Sequence, residues 1–402
     1  MSLRELHSVA KVIKEALPLL RPPPEVAIGV EQSLGRYSAE SVYSTFRLPP
    51  RGKSVVDGYA VRAVDVEAAS PSAPVPLDLR PELLRPLGGV DFVLQPGQAV
   101  RIETGALLPE GADAVIPVED AFEDKGKVFI LKRVAPYENV SLPGEEYDAG
   151  LPIIKRGEIV TPPAIAALIL EGREHLRVFE ATARILNVGD EIVSGSFFRP
   201  FTHMFVKAWL EQHGFKVLEV DFSRDEEGDI LEWLKRGESY LNIMLGGTSM
   251  GGHDFTVRAL EKMRPEYMVH GFAVQPGKTA CLAIKDGRPF IAMSGLPVAA
   301  LSTLEVVLKP LFRAAGLRLP EYPVVKARLT RRVTVKMGVI GFARVRVYKC
   351  GEELCAEPVM LGGSGSLASL IRGNGFLIVP EGVEGYEEGE IVKVHLYKGV
   401  DE

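Results

Sequence analysis

The sequence predicts a multidomain α/β plus β protein organised around a doubly wound α/β domain. Three observations predict it. Between residues 177 and 315, the apolar runs Ala183–Val188, Phe215–Val220, Tyr240–Leu245 and Thr279–Ile284 alternate with helical patterns, which indicates βαβ crossovers and a parallel sheet. From Pro24 to about Glu146, short apolar runs are broken by proline and glycine, a β-rich and turn-heavy text. After Arg318-Leu-Pro-Glu-Tyr-Pro323 comes a last all-β text, the length of a small barrel or sandwich.

From the start, Leu3 to Leu20 carries Leu6, Val9, Ala10, Val12, Ile13, Ala16 and Leu17 at helical spacing. Arg21-Pro-Pro-Pro24 ends that helix, because consecutive prolines lack N–H donors and force extended backbone. In the β-rich text, strands are expected at Ala99–Glu103, Ala114–Val118 and Val128–Val134. A helix returns at Thr161-Pro-Pro-Ala-Ile-Ala-Ala-Leu-Ile-Leu-Glu171, with Thr161 as N-cap, Pro162 at N1 and Gly172 at the C-terminal end. Its apolar face is expected to pack on the N-terminal helix, making the β-rich segment an excursion from a small helical domain. The α/β helices are expected at His203–His213, Glu226–Lys235, Asp254–Lys262 and Val298–Leu311, and the last strands at Val325–Val335, Ala343–Tyr348, Phe376–Val379 and Ile391–Leu396. The resulting domains are 1–22 with 149–176 (small, helical), 23–148 (β-rich), 177–317 (α/β) and 318–402 (C-terminal β).

A chain of 402 residues suggests roughly two to four domains. Its 46% hydrophobic and 25% charged residues are those of a soluble globular protein. Apolar stretches such as Ala164–Leu170 are too short to span a bilayer, and no secretory leader pattern opens the chain, so a cytoplasmic location without membrane contact is expected. A net charge of −6 argues against a nucleic-acid partner. Cys281, Cys350 and Cys355 contain no CxxC pair and read as reduced thiols, and the scattered histidines make zinc improbable.

Two acidic, glycine-marked loops carry the functional signal. Asn187-Val-Gly-Asp-Glu-Ile-Val-Ser-Gly195 puts Asp190 and Glu191 at a strand end, where a solvated turn before a helix cap would account for them equally well. Gly246-Gly247-Thr248-Ser249-Met250-Gly251-Gly252-His253-Asp254 is denser in glycine than turning alone requires. Bare backbone N–H groups there can approach a phosphate, and the carboxylates beside it can hold a hard cation. Asp254 read by itself is an ordinary N-cap. The loop is neither a GxGxxG fingerprint nor a Walker A loop. In Gln275-Pro-Gly-Lys-Thr279, Lys278 is either a solvated charge or an anion ligand at the same sheet edge. Met293-Ser-Gly-Leu-Pro-Val-Ala-Ala300 opens a helix with Pro297 in its first turn, and its N–H groups are expected to favour a negative ligand. Ser54-Val-Val-Asp-Gly-Tyr-Ala60 and Thr104-Gly-Ala-Leu-Leu-Pro-Glu-Gly-Ala-Asp-Ala-Val115 are by themselves no more than hairpin turns.

Together, in order and across nearly the whole chain, these motifs resemble the molybdopterin molybdenumtransferase family, known as MoeA in bacteria and as the gephyrin E domain in animals. Gly363-Ser-Gly-Ser366 extends the likeness into the C-terminal region. The resemblance implies a small helical domain, an elongated β excursion, a molybdopterin-binding α/β domain and a C-terminal β-barrel. It also implies a homodimer in which the β excursion of one subunit faces the α/β domain of the other. The implied reaction inserts molybdate into adenylylated molybdopterin, with Mg²⁺-assisted release of AMP. An adenylyltransferase and a molybdoenzyme acceptor are the implied protein partners.

By the same resemblance, Asp190, Glu191 and Asp254 hold Mg²⁺ or the substrate phosphates, and Asp57 reaches the site from the second subunit. Lys278 and Ser249 bind anionic oxygens, Thr104 positions a terminal phosphate or oxyanion, and Gly246, Gly247, Gly251, Ser294 and Pro297 contact substrate. Four departures stand out. Gln275 replaces a lysine, and Ser294-Gly-Leu-Pro297 replaces Pro-Gly-Asn-Pro, losing an amide at Leu296. Ser141-Leu-Pro-Gly-Glu-Glu146 lacks an arginine, and Pro200-Phe-Thr202 replaces Asp-x-Asn. Fewer anion-binding groups would shift preference from molybdate to tungstate or lower the activity. A non-catalytic carrier or scaffold for the cofactor, and an adenylyltransferase acting one step earlier, are the alternatives.

Overall fold

The computed structural model describes residues 6–86, 88–190, 193, 200–247, 254–360 and 363–402. The chain divides into two compact units, Ser41–Ile153 and Met1–Glu40 with Ile154–Glu402.

Unit Ser41–Ile153 is built on a six-stranded sheet in the order Ala114–Pro117, Gly58–Val61, Gln98–Ile102, Val75–Leu84, Lys127–Ile130, Ala121–Asp124. Tyr59, Val61, Ile116 and Val128 pack on one face, and Ala60, Val100, Ile102 and Val115 on the other. Burial on both faces explains why these strands read as short continuous apolar runs. The ten-residue strand Val75–Leu84 was not expected, because its prolines and charges hide a half-exposed strand. Gly58 is obligatory: a Cβ there would lie 1.9 Å from the Ile116 carbonyl oxygen. A two-stranded antiparallel ladder, Lys53–Ser54 with Val140–Ser141, flanks this sheet.

The larger unit begins with α1 (Val9–Ala16), followed by a 3₁₀ turn at Leu17–Leu19 that contains Pro18. The helix is therefore shorter than the Leu3–Leu20 pattern. Helix α2 (Pro162–Leu170) has Thr161 at the N-cap position, but the Thr161 side chain makes no capping bond. The expected pairing of these two helices is corrected by their packing. Val9, Val12 and Ala16 of α1 join the core of the α/β sheet, whereas α2 lies against the turn at Val30–Gln32.

The central sheet comprises β1 (Thr182–Val188), β2 (Lys216–Ser223), β3 (Leu241–Leu245), β4 (Tyr267–His270), β5 (Cys281–Lys285) and β6 (Arg288–Met293), in the order β2-β1-β3-β6-β5-β4. The four strands β2, β1, β3 and β6 are parallel. Helices α4 (Glu227–Arg236) and α5 (Phe255–Lys262) cover one face through Ile230, Trp233, Val257 and Leu260. The other face is covered by α3 (Thr202–Gln212), α6 (Pro297–Thr303), a π turn at Leu304–Leu308 and α7 (Lys309–Ala314). Alternate residues of β1 feed the two cores, Ile185 into one and Leu186 into the other.

The expected parallel strand Thr279–Ile284 is antiparallel instead. Asp286 and Gly287 adopt φ values of 53° and 78° and close a tight hairpin onto β6, a strand the text concealed behind Pro289. C-terminally, β7 (Val324–Leu329), β8 (Ile340–Cys350), β9 (Glu353–Met360), β10 (Gly375–Val379) and β11 (Ile391–Leu396) close on themselves, since β8 pairs with both β9 and β10. This is a barrel. Strand β9 was missed in the sequence because Glu353, Glu357 and Pro358 interrupt its apolar pattern. The β8–β9 hairpin brings the Cα atoms of Cys350 and Cys355 to 5.8 Å, and they form a disulfide. The expectation of three reduced thiols is thus corrected for this pair, while Cys281, buried in β5, takes no part in the disulfide. Among the described residues, no helix is long and apolar enough to cross a membrane.

Candidate functional site

Successive crossovers leave β1 and β3 toward opposite ends of the sheet, so the crevice beyond their carboxyl ends is a topological switch point. Both glycine loops start there. Gly246 has φ 99°, and a Cβ on it would meet the Val188 carbonyl oxygen at 2.2 Å; Gly247 has φ 65°, and a Cβ would meet Thr256 Oγ1 at 2.3 Å. The Gly246 N–H donates to the Met293 carbonyl at 3.0 Å, and Thr256 Oγ1 donates to the Gly246 carbonyl at 3.1 Å. Close packing against the end of β1 and against Thr256 of α5 therefore demands these two glycines, whatever else they contact.

Asp190 follows β1 and is exposed. Its N–H donates to Asp225 Oδ2 at 3.3 Å, and the Asp225 N–H donates to Asp190 Oδ1 at 3.4 Å. Asp254 is the N-cap of α5, accepting from the Val257 N–H at 3.2 Å, and its Oδ2 lies 3.6 Å from His270 Nε2. The ordinary capping role anticipated for Asp254 is thus present. Glu191, Ser249 and Gly251 lie outside the described residues.

Lys278 sits at the same edge because β5 is antiparallel: the start of β5 lies beside the end of β6, with Cys281 opposite Ala292. It is exposed and has no ion-pair partner among the described residues. The α6 terminus differs from expectation. The Val298 and Ala299 N–H groups donate to the Ser364 carbonyl at 3.0 and 3.4 Å, so Gly363-Ser-Gly-Ser366 caps the helix and its amides are not open to an anion. Ser294 Oγ accepts from the Leu296 N–H at 3.3 Å, Thr202 Oγ1 donates to the Gly295 carbonyl at 2.7 Å, and Pro297 is buried. Thr202, noted as a departure, thus ties α3 to the loop after β6.

In unit Ser41–Ile153, two distant motifs meet. Thr104 donates to Asp57 Oδ1 from its N–H at 2.7 Å and from its hydroxyl at 2.9 Å. These bonds hold the Asp57 carboxyl below its usual range. A pocket of about 640 Å³ beside them is lined by Lys53, Ser54, Thr104, Asn139, Glu145 and Glu146, among others. Lys53 pairs with Glu146.

Sequence reasoning missed Asp225, His270 and Lys53, and it named Ser364 within Gly363-Ser-Gly-Ser366 without its capping role. Lys53 adjoins the Ser54 turn, whereas Asp225 and His270 act through tertiary contacts. Among the described residues, no three carboxylate, histidine or cysteine side chains converge as a metal site.

A family model for the MoeA N-terminal region (domain I and II) matches residues 4–172, one for a "Probable molybdopterin binding domain" matches 184–314, and one for the MoeA C-terminal region (domain IV) matches 326–397. A molybdopterin molybdenumtransferase of Bacillus subtilis is 31% identical over 92% of this chain and 89% of its own. A Methanocaldococcus jannaschii protein named for molybdopterin biosynthesis is 30% identical over 99% of both chains. The crystal structure of a molybdopterin biosynthesis MoeA protein from Pyrococcus horikoshii is similar at TM-score 0.77 and 30% identity, covering 98% of this chain and 100% of that one. The chain belongs to the MoeA family of molybdopterin molybdenumtransferases, proteins of molybdenum cofactor biosynthesis.

Proposed function

We propose that this protein inserts molybdate, or tungstate, into adenylylated molybdopterin and releases AMP. The observation that carries the reading is the switch-point crevice. Its floor is the side-chain-free backbone of Gly246 and Gly247, its rim holds the exposed carboxylate of Asp190, and the exposed Lys278 lies on the same sheet edge. The chain around it aligns over 92% of its length with a named transferase.

In this reading Lys278 and Ser249 bind phosphate or molybdate oxygens. Gly246, Gly247, Gly251 and the Ser294–Pro297 turn bring backbone against the substrate. Water attacks the adenylyl phosphorus, the bond to the molybdopterin phosphate breaks and AMP leaves; the two dithiolene sulfurs then replace oxygens on the metal, which depart as water carrying the dithiol protons. Oxygen donors suit Mg²⁺, which is commonly held by one or two carboxylates plus substrate phosphates. Asp190 and Glu191 would hold it, with Asp254 at the start of α5 alongside. When bound, the ion neutralises charge on the phosphates. Asp57 of the partner subunit, oriented by Thr104 of its own unit, completes the site.

A second copy of the chain is supported by α2, which is apolar on every side and leaves Ile169 51% and Leu170 46% exposed. An adenylyltransferase that hands over the substrate and a molybdoenzyme that accepts the product follow from the same reaction.

Purified protein with Mg²⁺ should release AMP from adenylylated molybdopterin when molybdate or tungstate is added. Tight binding without AMP release would replace this reading by that of a carrier. The capped state of α6 and the structural duties of Asp254 are the observations that favour the carrier.

A further inference from the structure

We propose that the pocket in unit Ser41–Ile153 recognises the 2-amino-4-oxo edge of a pterin, the end of the substrate remote from its phosphate. The inference rests on the proposed function for the identity of the ligand, and on the pocket alone for its chemistry. That edge presents two adjacent N–H donors, at the 2-amino group and N3, followed by the O4 acceptor. A carboxylate beside an ammonium offers the complementary order of two acceptors and one donor.

Glu146 and Lys53 are such a pair. Lys53 is placed by its ladder with Val140–Ser141, and its Nζ contacts Glu146 Oε1. The pair lines the pocket with side chains 25% and 50% exposed, so a ligand can reach both. The remaining polar wall is rich in acceptors. Glu145 is held ionised by bonds from the Leu142 N–H and the Ser141 hydroxyl. Asn139 commits one of its two amide N–H groups to the Val115 carbonyl, and Thr104 spends its hydroxyl proton on Asp57. Both keep oxygens that can accept. A wall of acceptors with a single cation suits a donor-rich heterocycle and repels phosphate. Val55, 49% exposed, adds an apolar surface for the ring face.

The test is fluorescence titration of the purified protein with free pterin and with lumazine, in which a carbonyl replaces the 2-amino group. Pterin should bind at least about tenfold more tightly than lumazine. Glu146→Gln and Lys53→Met should each weaken pterin binding by a similar factor and erase the preference, while AMP binding stays unchanged. Equal binding of the two pteridines, or pterin affinity indifferent to both substitutions, overturns the inference and leaves the AMP-release reaction untouched. Failure of AMP release with the pterin preference intact would overturn the proposed reaction but not this subsite.

Discussion

Asp57 Oδ1 accepts both hydrogen bonds that Thr104 can donate, at 2.7 Å from its N–H and 2.9 Å from its hydroxyl. The two residues belong to motifs 47 positions apart, and the sheet strands Gly58–Val61 and Gln98–Ile102 that follow and precede them pair directly. The contact therefore follows from strand register. Thr104→Val keeps the backbone bond and removes the hydroxyl bond. The Asp57 carboxyl should then titrate higher, though still below an ordinary aspartate, in a carbon-13 NMR titration. Because the folded-state value is depressed, this interaction is present above the unfolded-state value and fades as pH falls through the folded one. An unshifted Asp57 resonance would mean that the hydroxyl bond contributes nothing.

Gly246→Ala drives a Cβ into a backbone oxygen and imposes φ 99° on an L-residue. Denaturant unfolding should show a loss of about 2–4 kcal/mol. Gly295→Ala is the control. Its nearest neighbours stand 3.8 Å away, and its stability should change by less than about 1 kcal/mol. Equal effects would remove the steric account of the loop.

Burial pushes the His213 imidazole down to about 4, against a partial offset from its bond with the Trp209 carbonyl. The unfolded chain binds this proton from near pH 6.5 downward, whereas the folded protein does so only near 4. Stability should therefore fall as the pH drops through that window, by roughly 3 kcal/mol in total, and level off below it. Urea unfolding of His213→Gln should lack this component; an identical pH slope in the variant would assign the slope to other groups.

A site shared between subunits predicts complementation. Homodimers carrying Asp57→Asn or Asp190→Asn should each be inactive, while mixed and reassociated chains should recover roughly a quarter of wild-type AMP release, from one intact site in half of the dimers. Ile169→Asp should yield a folded monomer in sedimentation experiments. No recovery on mixing, with hybrid dimers verified, would place Asp57 and Asp190 in the same chain's site or in none.

Much of the fold was legible because strong periodicity needs only local chemistry. The runs around β1, β2 and β3 and the helices between them could be placed from apolar spacing, whereas α1 ends at Ala16, before the expected stop at Arg21-Pro-Pro-Pro24. Strands with charged or proline-containing text, Val75–Leu84 and β9, were not legible, since only their pairing partners make them strands. The direction of β5 hinged on the two-residue Asp286-Gly287 turn, which an apolar run does not reveal. At the site, residue types were readable but their commitments were not. Nothing in the text showed that Ser364 would occupy the amides of α6, or that Asp254 would face His270.

The sequence by itself determined the family, the alternation that makes a doubly wound sheet, and the loops at its edge, because period, turn chemistry and motif order are properties of neighbouring residues. Tertiary structure alone decided which groups stay available to a ligand. Long-range pairing places a carbonyl or a histidine within 3–4 Å of a candidate, and a backbone amide whose one proton is spent on a carbonyl is closed to a ligand. That is why the α6 terminus is closed, while the exposed Lys278 and the exposed carboxylate of Asp190, which shares only one oxygen with the Asp225 N–H, stay within reach, and why Lys53, marked by no motif, stands beside Glu146.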